Sequence, residues 1–140
     1  KDEPYTYYDD LVEMARDVDT LICITPGGAA TNKIVNADVI AALGPHGTMI
    51  NVSRGSVIAE AAMIAALQSG MLGWAGLDVF EAEPHVPQAL RDLPNVVLLP
   101  HVGSATVETR AGRGALGVDN LLKHLEDGTV QTPVPECQGL

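Results

Sequence analysis

Four short apolar runs, over residues 21–24, 48–52, 74–79 and 96–99, are separated by stretches with helical periodicity. No other feature of the sequence restricts the possible folds so much. The runs lack the strict polar alternation of a strand with one wet face, so they read as fully buried strands. Buried strands alternating with helices specify βαβ units and a parallel sheet covered on both faces. Crossovers in such units are right-handed, so all four strands should point the same way. Their carboxyl ends then share one edge, which is where ligands bind in open α/β sheets.

The segments between the runs carry their own signals. Tyr8, Leu11, Val12 and Ala15 form a helical stripe ending near Arg16. Asn36 can cap a helix over 37–43 that Gly44 closes, and an alanine-rich helix over 59–69 meets Gly70. A turn of helix is expected within 86–93, and one long helix over 105–127 with Gly128 as its stop. The tail, 132–136, reads as extended.

At 140 residues the chain suits one domain with a sizeable core. Its net charge of −10 argues against nucleic-acid backbones and anionic membranes as partners. Arg110 and Arg113 are the only basic cluster and read as a solvated helix face. Two cysteines cannot build a disulfide framework; Cys23 lies in an apolar run, which favours a reducing compartment. No run approaches the ~20 apolar residues of a membrane span, and the N-terminal residues lack a signal-peptide core. The expected location is cytoplasmic.

The residues that follow the strands carry the chemistry. Thr25-Pro26-Gly27-Gly28 follows the first, Ser53-Arg54-Gly55 the second, and Asp78 through Glu83 the third; His101, Gly103 and Ser104 follow the fourth. Asp78 is unusual, because a buried strand cannot solvate a carboxylate. Arg54 can clamp a carboxylate through two parallel hydrogen bonds. His101 can pass a proton near neutral pH, and Glu83 beside it would favour the charged imidazolium and fix its tautomer. An anion clamp beside an acid/base suits proton and hydride exchange at the carbon next to a carboxylate. Each residue also has a plain structural reading, as an arginine paired with structural acids, a loop histidine or surface acids. Their meeting at one edge is what favours the chemistry.

Three motifs point nowhere. Gly112-Arg113-Gly114-Ala115-Leu116-Gly117 matches the dinucleotide fingerprint, yet it falls inside the long final helix with no strand leading into it. It reads as small residues that let the helix pack closely. Asn51-Val52-Ser53 fits a glycosylation sequon, but lies in an expected buried strand. His46, His85 and His124 have no ligand spacing, so no metal is expected.

At the strand-end residues the chain resembles the D-isomer-specific 2-hydroxyacid dehydrogenases. The resembling segments are 24–31, 50–57, 76–84 and 99–106, in the family's order and across nearly the whole chain. The resemblance implies half of a doubly wound Rossmann-type domain, α/β in class, with about four parallel strands, flanking helices and a long C-terminal helix. It implies that residues 1–127 are the later part of an NAD(P)-binding domain, and that 128–140 return toward a substrate domain. Arg54 would bind the substrate carboxylate, His101 would be the acid/base and Glu83 its partner. Thr25, Val52, Ser53, Arg54, Asp78, His101, Gly103 and Ser104 would contact the cofactor, with Asp78 on the nicotinamide carboxamide.

The family's first strand and Gly-rich turn should precede Lys1, as should its N-terminal substrate domain. The 140 residues alone are therefore expected neither to bind cofactor tightly nor to turn over. The expected reaction is reduction of a small 2-oxo acid to the D-2-hydroxy acid with NAD or NADP. Within the family the chain is most similar to glyoxylate/hydroxypyruvate reductases, and a homodimer is expected, with 105–127 long enough for the contact. A nucleotide-sensing corepressor on the same fold and a phosphoglycerate dehydrogenase remain alternatives. Lys1 lies near the position that separates NAD from NADP but does not decide it.

Overall fold

The computed structural model describes residues 4–134 and 137. The chain divides into two compact units, Lys1–His101 and Val102–Leu140.

The first unit runs α1 (Leu11–Asp17), β1 (Thr20–Cys23), α2 (Ala37–Leu43), β2 (Thr48–Asn51), α3 (Glu60–Ser69), β3 (Trp74–Leu77), α4 (Gln88–Arg91) and β4 (Val96–Leu98). All three strand pairs are parallel and the sheet order is β1-β2-β3-β4. The expected α/β architecture is present, and the strand ends share one edge. Asp10 caps α1 by accepting from the Val12 and Glu13 amides, and Asn36 caps α2 in the same way. Tyr8 therefore lies outside α1, and its hydroxyl donates to Asp17 instead.

Cover on both sheet faces is not what the first unit shows. Leu21 and Cys23 of β1, Met49 and Asn51 of β2, and Ala75 and Leu77 of β3 are buried. The apolar ones form a single cluster with Ala15, Val39, Ile40, Met63 and Leu67 from the first three helices. Strand residues alternate between faces, so the register puts Ile22, Ile50, Gly76 and Val97 in one row on the opposite side. Ile22 is 54% exposed there, Trp74 57% and Val97 66%. The strands are apolar on both faces, and the first three helices pack against one of them.

Two strand-end loops are joined before they reach the edge. Val35 and Ile58 form an isolated parallel bridge, and the Lys33, Val35 and Ala59 amides donate to the carbonyls of Ser56, Val57 and Val35. Short 3-10 turns at Ala29–Thr31 and Gly55–Val57, not expected from the pattern, tighten these loops. The Thr31 hydroxyl donates to the Pro26 carbonyl at 2.7 Å and closes the first of them.

The second unit is built on α5 (Val107–Asp127), capped by the Thr106 hydroxyl and ended by Gly128 at φ 78°. The expected start at Ala105 falls two residues early, because Thr106 spends its hydroxyl on the Thr109 amide. Gly112, Gly114 and Gly117 lie within this helix, as expected. Among the described residues nothing lies within 4 Å of where a Cβ would stand at any of them. Arg110 and Arg113 are both exposed on this helix, as expected, and Arg113 also donates to the Ser104 hydroxyl at 2.7 Å. Asn120 accepts from the Gln131 and Thr132 amides and donates to the Thr132 hydroxyl, folding the chain after Gly128 back along the helix. Of the expected extended tail, residues 135 and 136 lie outside the described residues, as does Lys1.

Candidate active site

The site forms where the loops after β1, β2 and β3 meet the end of β4. Asn51, the last residue of β2 and 1% exposed, organises the second loop. Its Oδ1 accepts from the Ser53 amide and hydroxyl at 3.0 and 2.8 Å, and its Nδ2 donates to the Arg54 carbonyl at 3.0 Å. The buried amide thus replaces the strand partners that the chain loses on leaving the sheet. In the sequence Asn51 stands out only as part of a sequon within a strand. The signal that could have found it is a fully polar side chain ending an apolar run.

Arg54 leaves this loop exposed, its Nη1 donating to the Ser53 carbonyl at 2.6 Å. That bond uses one of five donors and leaves the fork available to an anion. Its stem passes over Gly27, where a Cβ would stand 2.8 Å from Arg54 Cγ. Gly55 is tighter still: a Cβ there would lie 2.0 Å from the Phe80 carbonyl carbon and oxygen. The loop bearing Arg54 therefore packs, backbone on backbone, against the turn that presents Glu83.

Glu83 uses both carboxylate oxygens. Oε1 accepts from the Phe80 amide at 3.0 Å, and Oε2 lies 2.7 Å from His101 Nδ1. The bond to His101 is the main cause that holds the Glu83 carboxyl below its ordinary range, against the opposing effect of burial; the Phe80 amide and the charges of His101 and Arg54 add to it. Committing Nδ1 to Glu83 leaves Nε2 to face a ligand. The His101 backbone sits in the left-handed region at φ 55°, uncommon for a residue with a side chain. Such a conformation costs about 1–2 kcal/mol, and the turn after β4 maintains it with the ring directed at Glu83.

Arg54, Glu83 and His101 line one cleft of about 880 Å³, together with Thr25, Val52 and Ser53. A smaller, mainly apolar hollow of about 360 Å³ shares Glu83 and His101 with it but lacks Arg54. The hollow has a cation of its own in Arg91, so what distinguishes the larger cleft is that it brings Arg54, Glu83 and His101 together. Ser53 is 5% exposed, with its hydroxyl hydrogen committed to Asn51. Asp78 is 3% exposed just past β3, its amide donating to the Asn51 carbonyl at 3.0 Å, and it does not line the cleft. Gly103 and Ser104 belong to the second unit.

The cleft offers what the nicotinamide end of a dinucleotide would need. Ile24 (76% exposed) and Val52 (47% exposed) present apolar surface for a ring face, next to the Thr25 hydroxyl and the Arg54 cation. Among the described residues no helix is long and apolar enough to cross a membrane, and no group of His, Cys, Asp and Glu could hold a metal ion.

Residues 1–103 match the family model of the D-isomer specific 2-hydroxyacid dehydrogenase, NAD binding domain. Hydroxyphenylpyruvate reductase of Plectranthus scutellarioides is 51% identical over 130 residues, 93% of this chain and 42% of that protein. Glyoxylate/hydroxypyruvate reductase A of Arabidopsis thaliana is 48% identical over 133 residues, 95% of this chain and 42% of that protein. In structure the chain is similar to the NADPH-dependent glyoxylate/hydroxypyruvate reductase of Sinorhizobium meliloti, solved in complex with NADP and malonate. The TM-score is 0.93 at 56% identity, over 97% of this chain and 43% of that one. The chain thus spans about two fifths of the length of the relatives it matches.

Proposed function

The chain belongs to the D-isomer specific 2-hydroxyacid dehydrogenases, and on that footing we propose that it carries the acid/base half of an oxidoreductase that reduces a small 2-oxo acid to the D-2-hydroxy acid. The observation that supports this most is the shared cleft: Arg54 enters it from the β2 loop, and His101, bonded to Glu83 at 2.7 Å, enters from the end of β4. Arg54 takes the substrate carboxylate and so fixes which way the neighbouring carbonyl faces. His101, its ring oriented by Glu83, gives a proton from Nε2 to the carbonyl oxygen as charge gathers there, and takes it back in the reverse direction. A bound NADH or NADPH supplies the hydride. Thr25, Val52 and Ser53 hold its nicotinamide end, and Asp78 is assigned to the carboxamide by the family pattern.

Glyoxylate and hydroxypyruvate are the substrates favoured, because relatives and a solved neighbour bear the name of their reductase, and that neighbour was solved with the dicarboxylate malonate. The same names favour reductases over the corepressor and phosphoglycerate dehydrogenase readings. A homodimer is part of this proposal, supported by Leu121, Leu122 and Leu125, which leave an exposed apolar stripe on α5. So is a cytoplasmic location, supported by the free Cys23, whose thiol burial pushes up to about 11 and keeps protonated.

Replacing His101 by Asn tests the reading in the full-length protein. Asn tolerates the left-handed backbone, so the fold should survive. Turnover of glyoxylate and hydroxypyruvate should fall about 10²- to 10⁴-fold while cofactor affinity stays nearly constant. Unchanged turnover would exclude His101 as the acid/base.

A further inference from the structure

Glu83 can orient His101 only as firmly as the turn that carries it is held. That turn, residues 80–84, leaves the sheet after β3 with the Phe80 ring buried in the core cluster and Glu81 onward exposed. The Asp78 amide bonds the Asn51 carbonyl before the turn, and the His85 amide bonds the Ala82 carbonyl after it. Between these points two consecutive amides face carboxylates. The Phe80 amide donates to Glu83 itself, and the Glu81 amide donates to Glu60 Oε2 at 3.1 Å, 21 residues away in sequence.

Glu60 is the first residue of α3, where an acid ordinarily serves the helix dipole. Here its carboxylate reaches out of the helix. The capping position before it, Ala59, supplies no side-chain bond to the helix amides, and Glu60 spends an oxygen on another loop instead. The turn is confined from two further sides. Gly55 meets the Phe80–Glu81 peptide with no room for a Cβ. Lys33 Nζ lies 3.1 Å from Glu81 Oε1, an ion pair too exposed to contribute much by itself.

We propose that Glu60 is a positioning residue for the acid/base pair: by accepting from the Glu81 amide it holds the turn so that Glu83 stays on His101. This rests on the function proposed above, and it adds a residue from a separate helix that touches neither substrate nor cofactor. Losing the acceptor lets the part of the turn beyond the buried Phe80 shift, and a displacement of about 1 Å in a catalytic group is enough to cost up to about a hundredfold in rate. Arg54 is tied independently, through Asn51, so carboxylate binding should be spared.

Two conservative substitutions separate this role from general support of α3. Glu60→Gln keeps an acceptor oxygen at the same reach and loses the charge; Glu60→Asp keeps the charge at the helix start and withdraws the acceptor by one methylene. In the full-length protein, E60Q should retain kcat within about twofold, and E60D should lose about tenfold or more, with KM for the 2-oxo acid little changed in both. The reverse order, equal losses, a change confined to KM, or wild-type kcat in E60D would overturn the proposal. Should the unaltered protein reduce no 2-oxo acid, the proposed function fails on its own. The positioning is then decided by the carboxylate carbon resonance of Glu83 in isotope-labelled protein. A displacement in E60D but not in E60Q supports it, and any other pattern overturns it.

Discussion

His101 Nδ1 and Glu83 Oε2 lie 2.7 Å apart although 18 residues separate them, and the second oxygen of the same carboxylate is held by the Phe80 amide. One acid thereby ties an imidazole at the end of β4 to the turn after β3. The ring is left with a single nitrogen for chemistry.

This pair should have a pH signature. The Glu83 carboxyl is held below its ordinary 4.5, first by its bond to His101. A carboxyl depressed in the folded state contributes stability that is present above its unfolded pKa and is lost as pH falls through the folded value. The stability difference between the parent and Glu83→Gln should therefore shrink on acidification below about pH 4.5. Urea midpoints across that range would show it. The side chain is 34% exposed, so solvent screening keeps the effect small. A difference that widened toward acid pH would contradict the assignment.

Arg54→Lys should act mainly on KM. The ammonium keeps the charge but loses the planar fork, so the substrate carboxylate is held at one point instead of two. A rise in KM for the 2-oxo acid of about tenfold or more, with kcat reduced less, is the expected result in steady-state assays. Parent-like kinetics would mean that the anion is bound elsewhere.

Gly55→Ala should damage fold and site together. The added carbon would fall 2.0 Å from backbone atoms of Phe80, which cannot rotate away as a side-chain tip could. The loops bearing Arg54 and Glu83 must separate, at a cost of about 1–3 kcal/mol in thermal or urea unfolding. Gly27→Ala meets the stem of Arg54 instead, a side chain able to shift. It should cost less stability and act chiefly on the arginine.

In the second unit, Asn120→Ala should release the chain that follows α5. Asn120 accepts from two amides of the segment after Gly128, at 2.8 and 3.1 Å, and no alanine can replace them. Amide exchange at Gln131 and Thr132 should rise sharply while the middle of α5 keeps its protection. Unchanged exchange at those two amides would show that another contact holds the segment.

Strand order and site chemistry differed in how far they could be read in advance. Each apolar run became a strand, because a run of four to six mostly apolar residues between turn-forming segments has few other places to go. Arg54, Glu83 and His101 could be named because each follows a run, and parallel strands deliver their ends to one edge. The roles of Asn51, Glu60 and Gly55 are not legible in the sequence, for a common reason. An amide looks like a strand residue, an acid like a helix start and a glycine like a turn until the partner across the fold is known.

What the sequence alone determined was the local and the periodic: which segments are strands, that they run parallel, and which polar side chains they deliver to one edge. These follow from side-chain hydrophobicity and backbone preference within a few residues. Only the tertiary structure decided that the first three helices share one face of the sheet. It alone showed the Glu81 amide resting on Glu60 and the Phe80 carbonyl lying where a side chain at 55 would be. Those relationships join residues about twenty or more positions apart, and their energies depend on distances that no local pattern encodes.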